Sequence, residues 1–483
     1  MLQNKIITST LWKFTERGVS QLFSLIVQII LARILAPNDF GVLAVLLVFV
    51  NISNVLIQKG FATALIQKKH IEDIDLNTVF LFSEWIALII YIVLWFTAPY
   101  ISNFYHNQDL SIYIRVISIS LFFGAFYSIE NSILIRKMYF KQMFYSSFIS
   151  TVLSGLLGII LAVIGFGCWS LIIQNVMQQI LLSTTSFKFC EWKIKLQYSK
   201  NSFNSLFIFG SKVLLSEILY TGVENIRTLM IGAKYSSDAL AFYDRGQTYP
   251  SVAMRSIYDT LGSVLLPVFS KHQNNMEKLG TEIAFYLCSS FYLITPLFIG
   301  FALVSESFTM IFLSEKWLPA VPFIRVFCIY QLAILPYCIL QNSLYGIGDS
   351  KISLKLECIK DILSLGAVLV GLMFGTFEIA LLSTFVAWIS TVLYFIVVNR
   401  IIRLKVKIVF EEFFKVCIYN IFMIIAISIV NHSIINPIIT MITDIIVGVV
   451  IYIFFSIIFR DKFFFYFLNR LSEAWRKTCG NNK

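Results

Sequence analysis

The residues best suited to chemistry fall into stripes with helical spacing. Lys13, Arg17, Gln21, Ser24 and Gln28 follow i, i+4, i+8, i+11 and i+15, which places them on one helical face. Asn51, Asn54 and Gln58 form a second stripe. Further on, Lys212, Ser216, Tyr220 and Arg227 run beside Glu217, Thr221, Glu224 and Thr228. A last stripe holds Asp244, Thr248, Ser251, Arg255 and Asp259, with Arg245 alongside. Guanidinium groups grip phosphate oxygens in a bidentate way, and ammonium groups supply point charge. The cations Arg17, Arg245, Arg255, Lys212, Arg227 and Lys13 therefore suit a phosphorylated or acidic ligand. Amides and hydroxyls at Gln21, Gln28, Asn51, Asn54, Gln58, Thr248 and Ser251 suit sugar hydroxyls. Glu217, Glu224 and Asp259 could take up a coupling proton or sodium ion. A blander reading stays open: Lys212 with Glu217, or Arg255 with Asp259, as ion pairs that only hold helices together, and Lys13, Asp244 and Arg245 reaching for headgroups.

The elements that position these stripes are membrane helices. Of 483 residues, 58% are hydrophobic and 13% charged, against roughly 45–50% and about 25% in soluble domains. Only a bilayer accommodates that excess throughout a chain. A span takes about 20 mostly apolar residues, and about fourteen such segments follow one another: 9–35, 39–66, 77–98, 110–134, 143–164, 167–188, 204–232, 237–268, 281–304, 318–345, 355–374, 377–399, 411–432 and 435–459. Even-numbered junctions are basic, as at Lys68 and Lys69, Arg136 and Lys137, Lys271 and Lys278, and Arg400 to Lys407. Odd-numbered junctions are nearly free of Lys and Arg, with Arg33, Lys234 and Lys316 the exceptions. The positive-inside rule then predicts both termini in the cytoplasm and assigns the net charge of +11 to loops rather than to nucleic-acid binding.

Several classes are disfavoured. The eight cysteines are scattered without CxxC spacing, and the four histidines lie far apart, so no disulfide framework, metal site or cofactor is expected. The first apolar segment is interrupted by Glu16 and Arg17 and lacks a cleavage motif, so it reads as a span rather than a signal peptide. No connector is long enough for a catalytic domain, which disfavours a polysaccharide polymerase or ligase.

Segments 1–6 and 7–12 share a rhythm. A registration of about 199 residues sets Lys13 on Lys212, Gln28 on Arg227, and Pro37-Asn38-Asp39 near Ser236-Ser237-Asp238. The expectation is an all-α membrane protein of two parallel six-helix lobes, 1–200 and 201–405. Nearly charge-free accessory spans follow at 406–460, and a basic, aromatic tail at 461–483 lies on the membrane surface. A charge at mid-bilayer costs roughly 2.5–3.5 kcal/mol. A set of them exposed to lipid would exceed a folded protein's margin of about 5–15 kcal/mol. Spans 1, 2, 7 and 8 are thus predicted to enclose a wet cavity, the other spans holding only isolated charges such as Glu84, Glu130, Arg325, Lys360 and Asp361.

The segment from Leu31 to Gln67, "LARILAPNDFGVLAVLLVFVNISNVLIQKGFATALIQ", resembles the N-terminal signature of Wzx-type polysaccharide flippases, within the multidrug/oligosaccharidyl-lipid/polysaccharide exporter superfamily. The likeness rests on Ala32-Arg33, on Pro37, Asp39, Phe40 and Gly41, and on Gly60 with Ala64 to Gln67. Phe242 to Gln273 is similar to the family's eighth span. The resemblance implies a bacterial inner-membrane protein that carries an undecaprenyl-pyrophosphate-linked O-antigen, capsule or exopolysaccharide unit across the bilayer by alternating access, with ion-gradient coupling. The same pathway's polymerase and chain-length proteins would be partners. It also implies cavity cations as pyrophosphate contacts, with Arg17, Arg245 and Arg255 leading and Lys212 and Arg227 next. Related lipid II flippases carry arginines in span 2, where this chain has Asn51, Asn54 and Gln58. A drug/cation antiporter of the same fold is the alternative, kept open by Glu217 and Glu224. If those two carry the coupling ion, Glu217→Gln with Glu224→Gln abolishes the ion-gradient dependence of export; unchanged dependence in vesicles removes them from that role.

Overall fold

The computed structural model describes residues 2–68, 70–190, 192–431 and 436–480; the side chains of 2–17, 208, 209, 212, 213, 216, 219, 220, 223, 256, 259, 260, 263, 431, 471 and 473–480 lie outside the description. Helices account for nearly everything described, and no strand occurs among the described residues. In order they are α1 (Leu2–Ile34), α2 (Pro37–Asn54), α3 (Gly60–Gln67), α4 (Asp73–Phe104), α5 (Leu110–Ile117), α6 (Ser120–Arg136), α7 (Phe140–Ile164), α8 (Cys168–Cys190), α9 (Lys200–Lys234) and α10 (Ser237–Lys271). Then come α11 (Met276–Phe308), α12 (Val321–Gly346), α13 (Ser350–Gly371), α14 (Thr376–Ile402), α15 (Val406–Asn431), α16 (Pro437–Ile458) and α17 (Lys462–Gly480). Every predicted span coincides with a helix or a joined pair. Nine helical runs among the described residues are long and apolar enough to cross a membrane.

Helices α8, α13 and α17 are not among those runs, and α1, α9 and α10 include residues outside the description. This differs from the prediction in two ways. Span 2, expected to be polar, is among the most apolar runs, because its three amides are diluted by Val and Leu. Conversely α8, with Gln174, Asn175, Gln178 and Gln179, and α13, with Glu357, Lys360 and Asp361, are more polar than expected. Nor are the last two spans charge-free. Glu412 on α15 is 7% exposed and pairs with Lys415 at 3.2 Å and Lys462 at 3.0 Å, and Asp444 on α16 is also buried.

The chain divides into two compact units, Met1–Asp244 and Arg245–Lys483. In the first, α4 packs on α5 and α6, α6 on α8, and α7 on α8. In the second, α11 packs on α12, α12 on α14, and α13 on α14, which is the same pairing pattern. Exposed Ile, Val and Phe crowd α16, including Ile438, Ile442, Ile445, Val449 and Ile453. Such a surface is stable only against lipid. At the start of the tail Phe463, 2% exposed, packs with Tyr292, Tyr419 and Tyr452 and fastens α17.

Backbone approach rather than side-chain bulk sets two crossings in the first unit. Pro37 opens α2 at a position where its missing N–H costs nothing, and Asp39 accepts from the Ala36 N–H at 3.1 Å. Gly41 then lies directly on the Ser237 carbonyl at the start of α10. The Pro-x-Asp-Phe-Gly run is therefore a helix start and a crossing point. At the other end of this span a π-helical turn, Val55–Lys59, joins α2 to α3. A Cβ on Gly60 would meet the Gly210 carbonyl of α9 at 2.7 Å. The basic end is tied by Lys68 and Asp75 at 2.7 Å, and by Arg136, whose Nη1 donates to the carbonyls of Leu65 at 3.0 Å and Ile66 at 2.9 Å. Gly60→Leu should force α3 from α9 and cost about 1–3 kcal/mol by overpacking, read as a lower melting temperature in detergent. Gly262→Ala, with nothing within 4 Å of the added carbon, should leave it unchanged.

Candidate functional site

In the first unit the predicted residues separate by environment. Gln21 and Gln28 of α1 are half-buried, and the Gln28 amide donates to Ser24 Oγ at 3.3 Å. Asn51 is exposed. Asn54 and Gln58 bracket the start of the π-helical turn, and Gln58 Nε2 donates to Asn54 Oδ1 at 2.9 Å. Their amides rest on Gly124 of α6, where an added Cβ would lie 2.7 Å from Gln58 Nε2. π-turns inside helices often mark functional positions, and here one re-aims an amide pair onto a glycine. On α9, Glu217 is half-buried, Glu224 exposed, and Arg227 only 7% exposed and engaged by its surroundings. Lys13, Arg17, Lys212 and Asp259 have side chains outside the described residues.

In the second unit α10 separates two environments. Arg245 is 7% exposed and engaged by neighbours, whereas Arg255 is exposed. Thr248, Ser251 and Arg255 share one stripe, with the Ser251 hydroxyl donating to the Thr248 carbonyl at 2.9 Å. A different face of the same helix, through Ile257 and Leu261, lines an apolar groove of about 1020 Å³. The groove continues along α11 (Ser289, Leu293, Leu297, Phe301) and α16 (Gly448, Val449, Tyr452) to Tyr466 and Phe467 of α17. Pro250 within α10 removes a backbone N–H and crowds the carbonyl one turn earlier. At that earlier turn, Gly246 lies against Phe323 of α12.

A polar cluster in this unit escapes the spacing of the sequence. Lys360 and Asp361 read there as isolated charges, and Glu357 draws no notice. Glu357 of α13 accepts hydrogen bonds from Tyr337 and Gln341 of α12 and from Lys360 Nζ at 2.8 Å. Tyr394 of α14 donates to the Ser353 carbonyl at 3.2 Å and stands 3.5 Å from the same carboxylate. The Tyr258 hydroxyl of α10 donates to Gln341 Oε1 at 3.2 Å. Lys360 also lies 5.0 Å from the centre of the Tyr337 ring. Helices α12, α13 and α14 thus meet at one carboxylate, and α10 joins them through Gln341. The spacings Tyr337–Gln341 and Glu357–Lys360, i+4 and i+3, were the available signal, but their meeting is tertiary. Among the described residues no group of three His, Cys, Asp or Glu side chains is placed to hold a metal ion.

Two side chains at 21% and 25% exposure share the Glu357–Lys360 pair, so solvent screening limits what it contributes. A double-mutant cycle across the helices, Tyr337→Phe with Glu357→Gln, should give a coupling of about 1–2 kcal/mol in detergent unfolding; a coupling near zero would mean that the cluster does not hold α12 to α13.

Comparison with known proteins places this geometry. Residues 30–322 match the family model described as polysaccharide biosynthesis protein. The chain is 24% identical over 412 residues to the lipopolysaccharide biosynthesis protein WzxC of Escherichia coli (strain K12), covering 83% of this chain and 82% of that protein. It is 22% identical over 347 residues to the succinoglycan biosynthesis transport protein ExoT of Rhizobium meliloti (strain 1021), covering 72% and 70% respectively. Among solved structures, the lipid II flippase MurJ in an inward closed conformation superposes with a TM-score of 0.76 at 16% identity, over 94% of this chain and 99% of that one. That likeness is one of fold.

Proposed function

The chain belongs to the polysaccharide biosynthesis protein family, and from that premise we propose that it is a flippase for a polyprenyl-pyrophosphate-linked oligosaccharide. It is a multi-pass membrane protein with a flippase-like fold. The reading places it in the bacterial cytoplasmic membrane, exporting a repeat unit of O-antigen, capsule or exopolysaccharide. It acts as a transporter rather than an enzyme, with two six-helix lobes, 1–200 and 201–405, alternating access between the leaflets.

The observation that carries this reading is the two-faced character of α10. One face borders an apolar groove of about 1020 Å³, and another bears the exposed Arg255 with Ser251 and Thr248. A lipid-linked glycan is itself two-faced. Its polyprenyl tail gains about 25 cal/mol per Å² by staying out of water, and its pyrophosphate needs a cation wherever it leaves the headgroup layer. The groove offers the tail a continuous apolar path. Arg255 offers a fork of donors that matches phosphate oxygens. Ser251 and Thr248, on the stripe of Arg255, supply hydrogen bonds to sugar. Arg227 and Arg245, being buried and engaged, act first as anchors of their helices. Arg17, Lys13 and Lys212 remain cationic contacts by residue type and spacing.

A drug antiporter of the same fold would present a cation-seeking site, and an exposed arginine beside a lipid-sized apolar groove disfavours it. In a strain lacking the gene, Arg255→Ala should cut surface glycan at least tenfold at unchanged protein level, with lipid-linked units accumulating on the cytoplasmic leaflet. Arg255→Lys, which keeps charge but loses the fork, should recover part of it. Wild-type glycan from Arg255→Ala would remove the anionic-headgroup reading.

A further inference from the structure

Within the first unit one carboxyl group has no place in the proposed substrate path. Glu130 of α6 is 0% exposed, and neither of its side-chain oxygens has a hydrogen-bond partner among the described residues. It faces α8, which packs closely on α6. Gln179, Ser183, Ser186 and Cys190 form one stripe of α8 at i, i+4, i+7 and i+11. Cys190 Sγ reaches the Glu130 backbone carbonyl at 3.6 Å, and the Ser183 hydroxyl is the polar group set against the carboxyl. Gln179 Oε1 and Ser186 Oγ are buried without partners as well. The surroundings are otherwise apolar, with Ile129, Ile133, Leu134 and Trp192 in one buried cluster.

The charged and titratable groups on neighbouring elements do not neutralise it. On α4, Asp75 is held by Lys68, and Glu84 shares a stripe with Phe80 and Tyr91. Phe80 meets Phe126 of α6 at 5.5 Å, and both meet Trp192, at 5.5 and 6.0 Å. Helices α4 and α6 run antiparallel, so Glu84 and Glu130 lie one turn to either side of this aromatic layer, roughly 12 Å apart along the axis. On α8 the titratable groups are Cys190, the exposed Lys188 and, at the opposite end of the helix, the buried Cys168; Lys59 of the π-helical turn, Lys137 and Lys141 are exposed. The Arg136 guanidinium is turned onto the α3 carbonyls.

A carboxylate stripped of water, with no cation and no donor in hydrogen-bond geometry, is among the costliest groups a membrane protein can carry. The neutral acid is not: it leaves one O–H to place and a carbonyl to satisfy. We propose that Glu130 is a proton-binding site internal to the first unit, occupied by a proton in the conformation described here, and that its loading and release couple transport to a proton gradient. The coupling half rests on the flippase reading; the proton site itself does not. A proton fits this position better than a metal cation because it neutralises the group without a coordination shell. Release requires α6 and α8 to part enough to admit water or a base, so the charged form belongs to a different conformation of this unit.

Glu130→Gln copies the neutral acid in shape and charge, and therefore should reach the membrane at the wild-type level. If it fails to accumulate, the folded protein requires a charged group there and the proposal is wrong. Purified full-length protein in detergent, followed by infrared spectroscopy between acid and alkaline pH, should show a buried carboxylic-acid C=O band at neutral pH that Glu130→Gln lacks. Absence of a Glu130-dependent band overturns the proton site. In cells, Glu130→Gln should lower glycan export at least tenfold and abolish its response to the proton gradient, while Glu130→Asp retains a response at a displaced pH. Export by Glu130→Gln with the wild-type pH response, or wild-type export that follows a sodium gradient instead, overturns the coupling. A Glu130 band in a protein that moves no lipid-linked glycan would sink the flippase reading and leave the proton site standing.

Discussion

A polar group inside hydrocarbon must find a partner, water or a proton, and the arrangement of this protein follows from that requirement. Helices satisfy the backbone within each segment. The side chains are then sorted by how their polarity is met. Glu412 takes two lysines, and Glu357 takes a lysine, two tyrosines and an amide. Arg255 keeps its exposure, and Glu130 keeps neither a hydrogen-bond partner among the described residues nor a solvent-accessible surface. These are different solutions to one cost, and each suits a different role. Paired groups hold helices, exposed groups meet a ligand, and a group with neither is poised to exchange a proton.

The same constraint explains why small residues carry the crossings. Between membrane helices there is little hydrophobic gain from association, so close backbone approach and van der Waals contact do more of the joining. Gly41 on Ser237 and Gly60 on Gly210 bring α2, α3, α9 and the start of α10 together in the first unit. Gly124 does something different by seating the Asn54–Gln58 amide pair. The family-like segment from Leu31 to Gln67 thus encodes architecture as much as chemistry. Its Pro, Asp and Gly open and cross a helix, and its polar residues sit where a π-helical turn redirects them.

An amphiphilic cargo matches an amphiphilic wall. α10 is too polar to face lipid on all sides and too apolar, at Ile257 and Leu261, to line only water. That mixed character is what connects a chain of the polysaccharide biosynthesis protein family to the lipid-linked ligand proposed for it. The accessory helices share in it. α16 turns an isoleucine-rich face outward and lends Gly448 and Tyr452 to the lining of the groove.

Fold class and helix positions were legible in the amino-acid sequence because hydropathy and the 3.6-residue period are local properties. Each predicted span became a helix, and the polar character of α1, α9 and α10 was plain from their stripes. The resemblance between Leu31 and Gln67 pointed to the right family for the same reason: a run of residues carries it. Burial and partnership are not local. Arg227, Arg245 and Arg255 look equivalent in sequence, and only packing leaves the third exposed and encloses the other two. Glu357 meets Tyr337 and Tyr394, and Tyr258 meets Gln341 beside it, across gaps of 20 residues or more, which no spacing rule reaches. Glu130 reads as one isolated charge among several, and its significance exists only because α6 and α8 close over it. The sequence by itself determined which segments enter the membrane, since that depends on each segment's own transfer free energy. The tertiary structure alone decided which charges are paired, wet or neutral, since that depends on what the neighbouring helices bring.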